Sequence, residues 1–264
     1  MVRIALCYHG IAKGENFKDG GLEVGYRQEF DLIKRNLIEH NPNCKFDIFL
    51  HSWSYEFQEE IVSYMKPKGY SFEVSKDIKN VSFYTLIKES VKKLIGKTFE
   101  YKRMNNIYSR WYSFQKACNL VKQSGINYDL IIITRFDMAL LSPFDVFQLD
   151  SSSFYSGDWL GLRFKNRTLE GFEYKEFNNK EGVSQIKIGY PYDKEGLQDF
   201  FFIGSSEYML NSFGNIFDEL PSLLKKYGHS NHYIALGKLK EDDIVNKHQR
   251  ILTYGKDYFL TRWL

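Results

Sequence analysis

Hydrophobic and polar positions follow two periods along the first half of this chain. Short apolar runs predict strands over residues 3–8, 46–50, 71–74 and 130–134. Apolar residues at helical spacing predict helices over residues 27–39, 55–65, 82–95 and 106–123. Strands that alternate with helices through short connections are typical of a doubly wound, mostly parallel α/β sheet.

The second half lacks this alternation. It predicts strands over residues 154–159 and 199–205 and helices over residues 206–217 and 232–239, whereas residues 166–192 are polar and show no periodicity. No composition shift marks a linker. We therefore expect one domain over residues 1–264, with a regular half (1–140) and an irregular half (141–264).

Composition and charge restrict the class of protein. Hydrophobic residues make up 43% and charged residues 26% of the chain, which is ordinary for a globular protein. A net charge of +3 is too small to favour a nucleic-acid partner. Three cysteines without a CxxC pair favour a reducing compartment, and Cys7 and Cys118 are expected in the core. Without a transmembrane-length apolar run or a signal-peptide pattern, the sequence predicts a cytoplasmic protein.

The segment YDLIIITRFD, residues 128–137, carries the clearest chemical signal. Its apolar run predicts a central strand that is buried on both faces. Arg135 and Asp137 follow this strand two positions apart, so their side chains leave it on the same side, at the carboxyl edge of the sheet. Ligands of open α/β sheets bind at that edge. A polyphosphate, with or without a metal, is one interpretation, and an ion pair that caps the strand is the other.

A charged residue interrupts the apolar face of the helix over residues 106–123. Ile107, Trp111, Phe114, Cys118 and Val121 follow helical spacing and form one stripe. Arg110 falls within the same arc, where a charge is costly unless it meets a partner. Either a structural salt bridge or contact with a diphosphate would supply that partner.

Several short motifs resemble a known family. They are HSW at residues 51–53, YSRWYS at residues 108–113, RFD at residues 135–137 and DFFFIGS at residues 199–205. Together they resemble bacterial capsule and lipopolysaccharide glycosyltransferases of GT-A type, the nearest being the WavE-type lipopolysaccharide-synthesis proteins. The resemblance covers most of residues 1–240.

The resemblance implies a GT-A-like fold that transfers a sugar from a nucleotide-sugar donor to a surface glycan or lipid-linked glycan. Residues 1–140 would bind the donor and residues 141–264 the acceptor. Arg135-Phe136-Asp137 takes the place of the DxD motif that holds Mn²⁺ or Mg²⁺ in this family, with Arg in place of the first Asp. Asp137 would then bind the metal with diphosphate oxygens and a late residue such as His229, His232 or His248. Alternatively, Arg110 and Arg135 would neutralise the diphosphate without a metal.

The resemblance also assigns site residues. Donor contacts are expected from His9, Gly10, His51, Ser52, Trp53, Tyr108, Arg110, Trp111, Arg135 and Asp137. For the base that deprotonates the acceptor hydroxyl, Asp199 is favoured over Asp158. For each of these residues, a purely structural role is the competing interpretation.

Other enzyme classes find no support in the motifs. HExxH, GxSxG and GxxxxGK[ST] patterns are missing, so the sequence favours neither zinc hydrolysis, serine hydrolysis nor P-loop ATP hydrolysis. The alternatives that remain are another nucleotide-dependent transferase and a non-catalytic glycan- or nucleotide-binding assembly protein. The tail combines aromatics at residues 258, 259 and 263 with Lys256 and Arg262. We expect either a peripheral contact with anionic lipid or packing of this tail on the domain.

Overall fold

The computed structural model describes residues 1–16, 22–75, 78, 100–158, 162–167, 172–176 and 196–261. The strands of these ranges are β1 (Val2–Gly10), β2 (Gly14–Asn16), β3 (Leu22–Val24), β4 (Cys44–Ser52), β5 (Gly69–Phe72), β6 (Leu130–Arg135), β7 (Met138–Leu140), β8 (Phe154–Asp158), β9 (Leu162–Arg167), β10 (Phe172–Glu176), β11 (Phe201–Gly204), β12 (His248–Thr253) and β13 (Tyr258–Leu260). The α-helices are α1 (Arg27–Ile33), α2 (Gln58–Met65), α3 (Glu100–Gln123), α4 (Leu220–Tyr227) and α5 (Asn231–Glu241). Shorter π- or 3₁₀-helical turns cover Lys34–Ile38, Tyr55–Phe57, Val146–Gln148, Glu207–Ser212, Phe213–Asn215 and Val245–Lys247.

Seven strands form the central sheet, in the order β12-β8-β11-β6-β1-β4-β5. All neighbouring pairs are parallel except those of β11, which runs antiparallel to both β6 and β8. The protein is therefore an α/β protein with a mostly parallel sheet, and strands from both halves of the chain contribute to that sheet.

Each face of the sheet carries its own hydrophobic cluster. Alternate residues of β1 point to opposite faces, so that Cys7 packs with α3 whereas Leu6 packs with α1. Strand β6 is buried on both faces, since Ile131 and Ile133 join the α3 cluster and Leu130 and Ile132 join the α1 cluster. This double burial explains why its sequence is a continuous apolar run rather than an alternating one.

Most strands and helices predicted in the first half are confirmed. The helix predicted over residues 106–123 is α3, which starts earlier, and Cys7 and Cys118 are fully buried, as predicted. The predicted helix over residues 82–95 lies outside the described residues. None of the helices in the described ranges is long and apolar enough to span a bilayer.

The second half departs from the prediction in several respects. The strand predicted at residues 199–205 is shorter and antiparallel, and the helix predicted after it is a series of irregular turns. Residues 166–192 are not wholly irregular, because β9 and β10 form a hairpin there. Strand β12 adds a regular edge to the sheet that the periodicity did not reveal.

The described part of the C-terminal tail follows one of its two expected placements, packing on the domain. Tyr258 and Phe259 are almost fully buried. They belong to β13, which pairs with β7 directly after the central strand β6. The described part of the tail therefore packs on the domain, and Arg262 and Trp263 lie outside the described residues.

Candidate functional site

Three neighbouring strands bring a row of polar side chains to the carboxyl edge of the sheet. In the register of the sheet, His9 of β1 lies between His51 of β4 and Arg135 of β6. The residues two positions before them, Cys7, Phe49 and Ile133, all belong to the α3 cluster. Side chains two positions apart on a strand lie on the same face of the sheet. His9, His51 and Arg135 therefore also lie on the α3 face.

Two carboxylates lie at the same edge of the sheet, one just before β11 and the other at the end of β8. The first residue of β11, Phe201, pairs with Thr134 near the end of β6, so Asp199 precedes β11 at this edge. Strand β8 runs parallel to β6 through β11 and ends there with Asp158. The register thus gathers the predicted residues from four strand ends and from the segment that leads into β11.

A hydrogen-bonded relay fixes the ends of β1 and β4 against α3. The backbone N–H of Gly10 donates to Ser113 Oγ at 2.9 Å, and Ser113 Oγ lies 2.8 Å from His51 Nδ1. On the other side of the ring, His51 Nε2 lies 3.2 Å from Glu73 Oε1. A carboxylate only accepts, so His51 Nε2 carries a proton, and in the neutral ring Nδ1 accepts the Ser113 hydroxyl proton. His51 and Ser113 are fully buried.

The aromatic rings of Trp53 and Tyr112 pack against His51. Trp53 stacks on Tyr112 with ring centroids 5.5 Å apart and meets His51 edge-on. The Tyr112 hydroxyl donates to Glu73 at 2.9 Å. Ser52 Oγ accepts from the backbone N–H of Ser54, which holds the turn after β4. Trp53 and Ser52 are thus buried parts of a rigid wall beside the row.

Arg135 and Asp137 form a two-pronged ion pair. Arg135 Nε and Nη2 donate to the two carboxylate oxygens of Asp137, both at 2.6 Å. The side chain of Asp137 is 6% exposed and that of Arg135 is 18% exposed. The predicted orientation of both groups to one side is realised as a contact between them.

Arg110 finds its partner in the residue predicted to be the base. Arg110 Nε lies 3.1 Å from Asp199 Oδ2, and both side chains are buried. His232 Nδ1 lies 3.3 Å from the other Asp199 oxygen and 2.8 Å from the carbonyl oxygen of Leu197. Asp199 is therefore held between a guanidinium group and an imidazole.

Asp158 is the more accessible of the two predicted bases. Its Oδ1 lies 3.4 Å from Arg250 Nη1, and its side chain is 21% exposed. Its carbonyl oxygen accepts from the backbone N–H of Tyr254. The backbone is therefore fixed while the carboxylate keeps access to solvent.

His9 and Gly10 differ from the rest of the site. His9 is 4% exposed, and its Nδ1 is buried without a hydrogen-bond partner in the described part of the chain. Burial first, and then the charges of Arg110, Arg135 and His51, lower the pKa of His9 well below its ordinary range. Gly10 follows with φ +110°, and a Cβ added there would meet no atom within 4 Å. Apart from its chain neighbours, no described atom therefore crowds the position of a side chain at Gly10, at the end of β1.

Trp111 and Tyr108 were both predicted to contact the donor, and both pack against other aromatic rings. Trp111 is fully buried and packs between Phe114, Phe202 and Phe213. The guanidinium of Arg110 lies 5.3 Å from the centre of the Trp111 ring. Tyr108 packs edge-on against Phe217.

Glu29 is an ionisable residue that sequence reasoning missed. It lies on α1 with 5% exposure, and it accepts a hydrogen bond from the Thr261 hydroxyl. Thr261 in turn donates its backbone N–H to the carbonyl oxygen of Asp137. Burial, opposed by the Thr261 hydrogen bond, raises the pKa of the Glu29 carboxyl, and the nearby Asp137 raises it further. A Glu in the first turn of a helix is an ordinary surface pattern, so nothing in the sequence pointed to burial of Glu29.

Other missed residues had a weak signal. Ser113 lies three positions after Arg110, so both face the sheet edge from one side of α3. Glu73 follows directly after β5 and therefore belongs to the same row of strand ends. His232 was considered only as a metal ligand, and its contact with Asp199 was not predicted. Arg250 was missed, because it comes from a distant segment that carries no motif.

The side chains present do not fit the Mn²⁺ or Mg²⁺ site that the resemblance implied. Both carboxylate oxygens of Asp137 already accept from Arg135. In the described ranges, no group of three or more His, Cys, Asp or Glu side chains is placed to hold a metal ion. His248 begins β12 and so lies at the opposite edge of the sheet. Hard cations collect several oxygen ligands, whereas the carboxylates of Asp137, Asp158 and Asp199 at this edge are each in contact with an arginine.

No family model matches this chain, and a search of the curated proteins finds no match.

Proposed function

We propose that this chain is a GT-A-like glycosyltransferase that moves a sugar from a nucleotide-sugar donor to a bacterial surface glycan, of capsule or lipopolysaccharide type. The observation that carries the proposal is the convergence of Arg110, Arg135, His9 and His51 beside the open space at Gly10, at the carboxyl edge of the sheet. Nucleotide ligands of open α/β sheets bind at this edge.

The cationic groups suit a diphosphate leaving group. Guanidinium groups bind phosphate oxygens in a two-pronged geometry, and Arg135 already holds the carboxylate of Asp137 in this way. Developing negative charge on the departing diphosphate would be stabilised by Arg110 and Arg135, which are preorganised by Asp199 and Asp137. In this arrangement the arginines do what a divalent cation does in metal-dependent transferases.

The acceptor proton requires a base on the other side of the donor. Asp158 fits this role better than Asp199, because Asp158 is more exposed and has a longer contact with its arginine. Asp199 then positions Arg110. The acceptor hydroxyl would attack the anomeric carbon as Asp158 takes its proton and the bond to the diphosphate oxygen breaks.

Binding of nucleotides tests the first half of this proposal. A panel of nucleoside diphosphates, with and without Mn²⁺, should raise the melting temperature of the protein for at least one base. Arg135→Gln should lose this shift, whereas Arg35→Gln, which removes an exposed arginine of the turn after α1, should keep it. A panel in which no nucleotide stabilises the protein contradicts a nucleotide-dependent transferase of any kind.

A non-catalytic binding or assembly protein with this fold is the second candidate. It is favoured by the ion pairs that occupy both Asp137 and Asp199. Release of nucleoside diphosphate from nucleotide sugars separates the two functions. A protein that binds a nucleotide sugar, yet releases no diphosphate with any glycan acceptor or with water, is a binding module.

A further inference from the structure

His9 is surrounded by cationic or proton-donating side chains from three elements. His51 lies beside it on β4, Arg135 lies beside it on β6, and Arg110 faces it from α3. The carboxylates near these groups are already engaged, Asp137 by Arg135 and Asp199 by Arg110. The ring of Phe114 adds an apolar contact and meets the imidazole edge-on, with ring centroids 5.5 Å apart.

The imidazole itself lacks a polar partner. Its Nδ1 is buried without a hydrogen bond to any described residue. A buried polar atom left in this state costs about 1–3 kcal/mol, so it calls for an explanation. Gly10, one residue further along β1, has open space around it at the same end of the strand.

We propose that His9 takes up a proton when a phosphate-like dianion binds between Arg110 and Arg135, and that His9 then serves as a third cation for this anion. This inference rests on the proposed function, because the dianion would be the diphosphate of the donor. It goes beyond that function by assigning His9 to the phosphate rather than to the base or ribose.

The physical reason is the balance of charges around the ring. Without ligand, burial and the nearby positive charges disfavour the imidazolium. A dianion placed among the same groups reverses the sign of the local field and gives His9 a charged hydrogen-bond acceptor. The pKa of His9 in the complex is therefore higher than in the free protein. By linkage, the affinity for the anion rises as the pH falls, by up to about tenfold per pH unit for one proton.

Sulfate is the cleanest probe, because it remains a dianion throughout the pH range of interest, whereas a terminal phosphate group titrates near pH 6. Isothermal titration of the full chain at pH 7, in buffers of different ionisation enthalpy, counts the protons taken up on binding of sulfate, pyrophosphate and nucleoside diphosphates. The wild-type protein should take up a measurable fraction of one proton with sulfate. His9→Gln should remove that uptake, and His248→Gln, which changes a buried histidine at the opposite edge of the sheet, should retain it.

The outcomes separate this inference from the proposed function. If nucleoside diphosphates bind while wild-type protein takes up no proton with sulfate, or while His9→Gln takes up as many protons as wild type, the role of His9 is refuted and the proposed function stands. If neither these anions nor any nucleotide binds, both are refuted. Should His9→Gln fail to fold, ring resonances of the wild-type histidines, followed by NMR through a pH titration, decide the matter. A buried histidine whose pKa rises on addition of sulfate supports the proposal, and unchanged histidine titrations overturn it.

Discussion

Arg110 and Asp199 form a buried ion pair, with Arg110 Nε 3.1 Å from Asp199 Oδ2, that ties the middle of α3 to the segment leading into β11. The helical spacing had placed a charge on the core side of this helix, and the pair shows how that charge is accommodated. The same contact holds an arginine at the ligand edge of the sheet. Arg110 can therefore have a structural and a functional role at once. A substitution tests the first through the stability of the protein and the second through its affinity for a nucleoside diphosphate.

Removal of either partner should destabilise the protein strongly. Arg110→Ala or Asp199→Ala breaks the buried ion pair by removing one partner, which costs about 3–5 kcal/mol. The double variant should lose less than the sum of the two single variants, because no charge is left alone. Chemical denaturation of the four proteins measures the coupling. Additive losses would show that the pair is not coupled in solution.

The same variants separate folding from phosphate recognition. If Arg110 contacts the diphosphate, Arg110→Ala should weaken nucleoside-diphosphate binding by about 1.5–3 kcal/mol, the range for a hydrogen bond to a charged group. Binding is measured on the folded fraction at low temperature. An affinity equal to that of wild type, together with a lowered melting temperature, would leave Arg110 with a structural role alone.

Part of this site could be predicted from the sequence and part could not. The spacing of apolar residues predicts both β6 and α3. The end of the apolar run at β6 also predicts that Arg135 lies at the ligand edge. The partner of Arg110 does not follow, because a salt bridge between distant segments depends on the tertiary path of the chain. Strand direction is equally non-local. The apolar run predicted a strand at β11, but it did not predict that this strand is antiparallel and so brings Asp199 to the edge.

The placement of the C-terminal strand β13 also could not be predicted from local sequence. An aromatic segment near a chain end resembles a membrane contact as much as a buried strand, because both are apolar. Only the pairing of β13 with β7 and the hydrogen bond from the Thr261 hydroxyl to Glu29 distinguish the two. Those partners lie far away in the sequence, and their residue types are ordinary.

Asp137 should be essential for transfer while contributing less to the fold. Asp137→Ala removes both contacts that orient the Arg135 guanidinium, and a misplaced catalytic group can cost about a hundredfold in rate. Turnover of a nucleotide sugar by the variant is compared with wild type, and Asp31→Ala, which changes an exposed carboxylate, is the control. Turnover within a few-fold of wild type would remove Asp137 from the site.

Ser113 should be a structural support of the edge. Ser113→Ala leaves the backbone N–H of Gly10 and the Nδ1 of His51 without their shared partner, at a cost of about 1–3 kcal/mol. Ser109→Ala, on the same helix, should change the free energy of unfolding by less than about 0.5 kcal/mol, as is usual for a substitution away from such contacts. Equal, small losses in urea denaturation of both variants would show that the relay does not hold the turn.

The thiols should differ in reactivity. Cys7 and Cys118 are fully buried, and burial raises the pKa of both, that of Cys118 to about 12. Cys44 is partly exposed. Since the thiolate is the reactive form, a thiol reagent should modify Cys44 in the native protein and reach the other two only on unfolding. Mass spectrometry after timed labelling gives the order, and equal rates for all three would contradict the buried positions.

His248 should make the protein less stable as the medium becomes acidic. Its Nε2 lies 2.8 Å from the Ser156 hydroxyl, and burial first, with Arg250 second, lowers its pKa to about 3. The unfolded chain binds a proton at this residue near pH 6.5, whereas the folded chain does not until about pH 3, so stability is lost as the pH falls through this window. Between pH 7 and pH 5 the loss from this single group amounts to about 2 kcal/mol, since each pKa unit corresponds to about 1.4 kcal/mol. Urea denaturation at both pH values should show this difference between wild type and His248→Gln, which does not titrate. Parallel pH profiles for the two proteins would mean that His248 is protonated in the folded state.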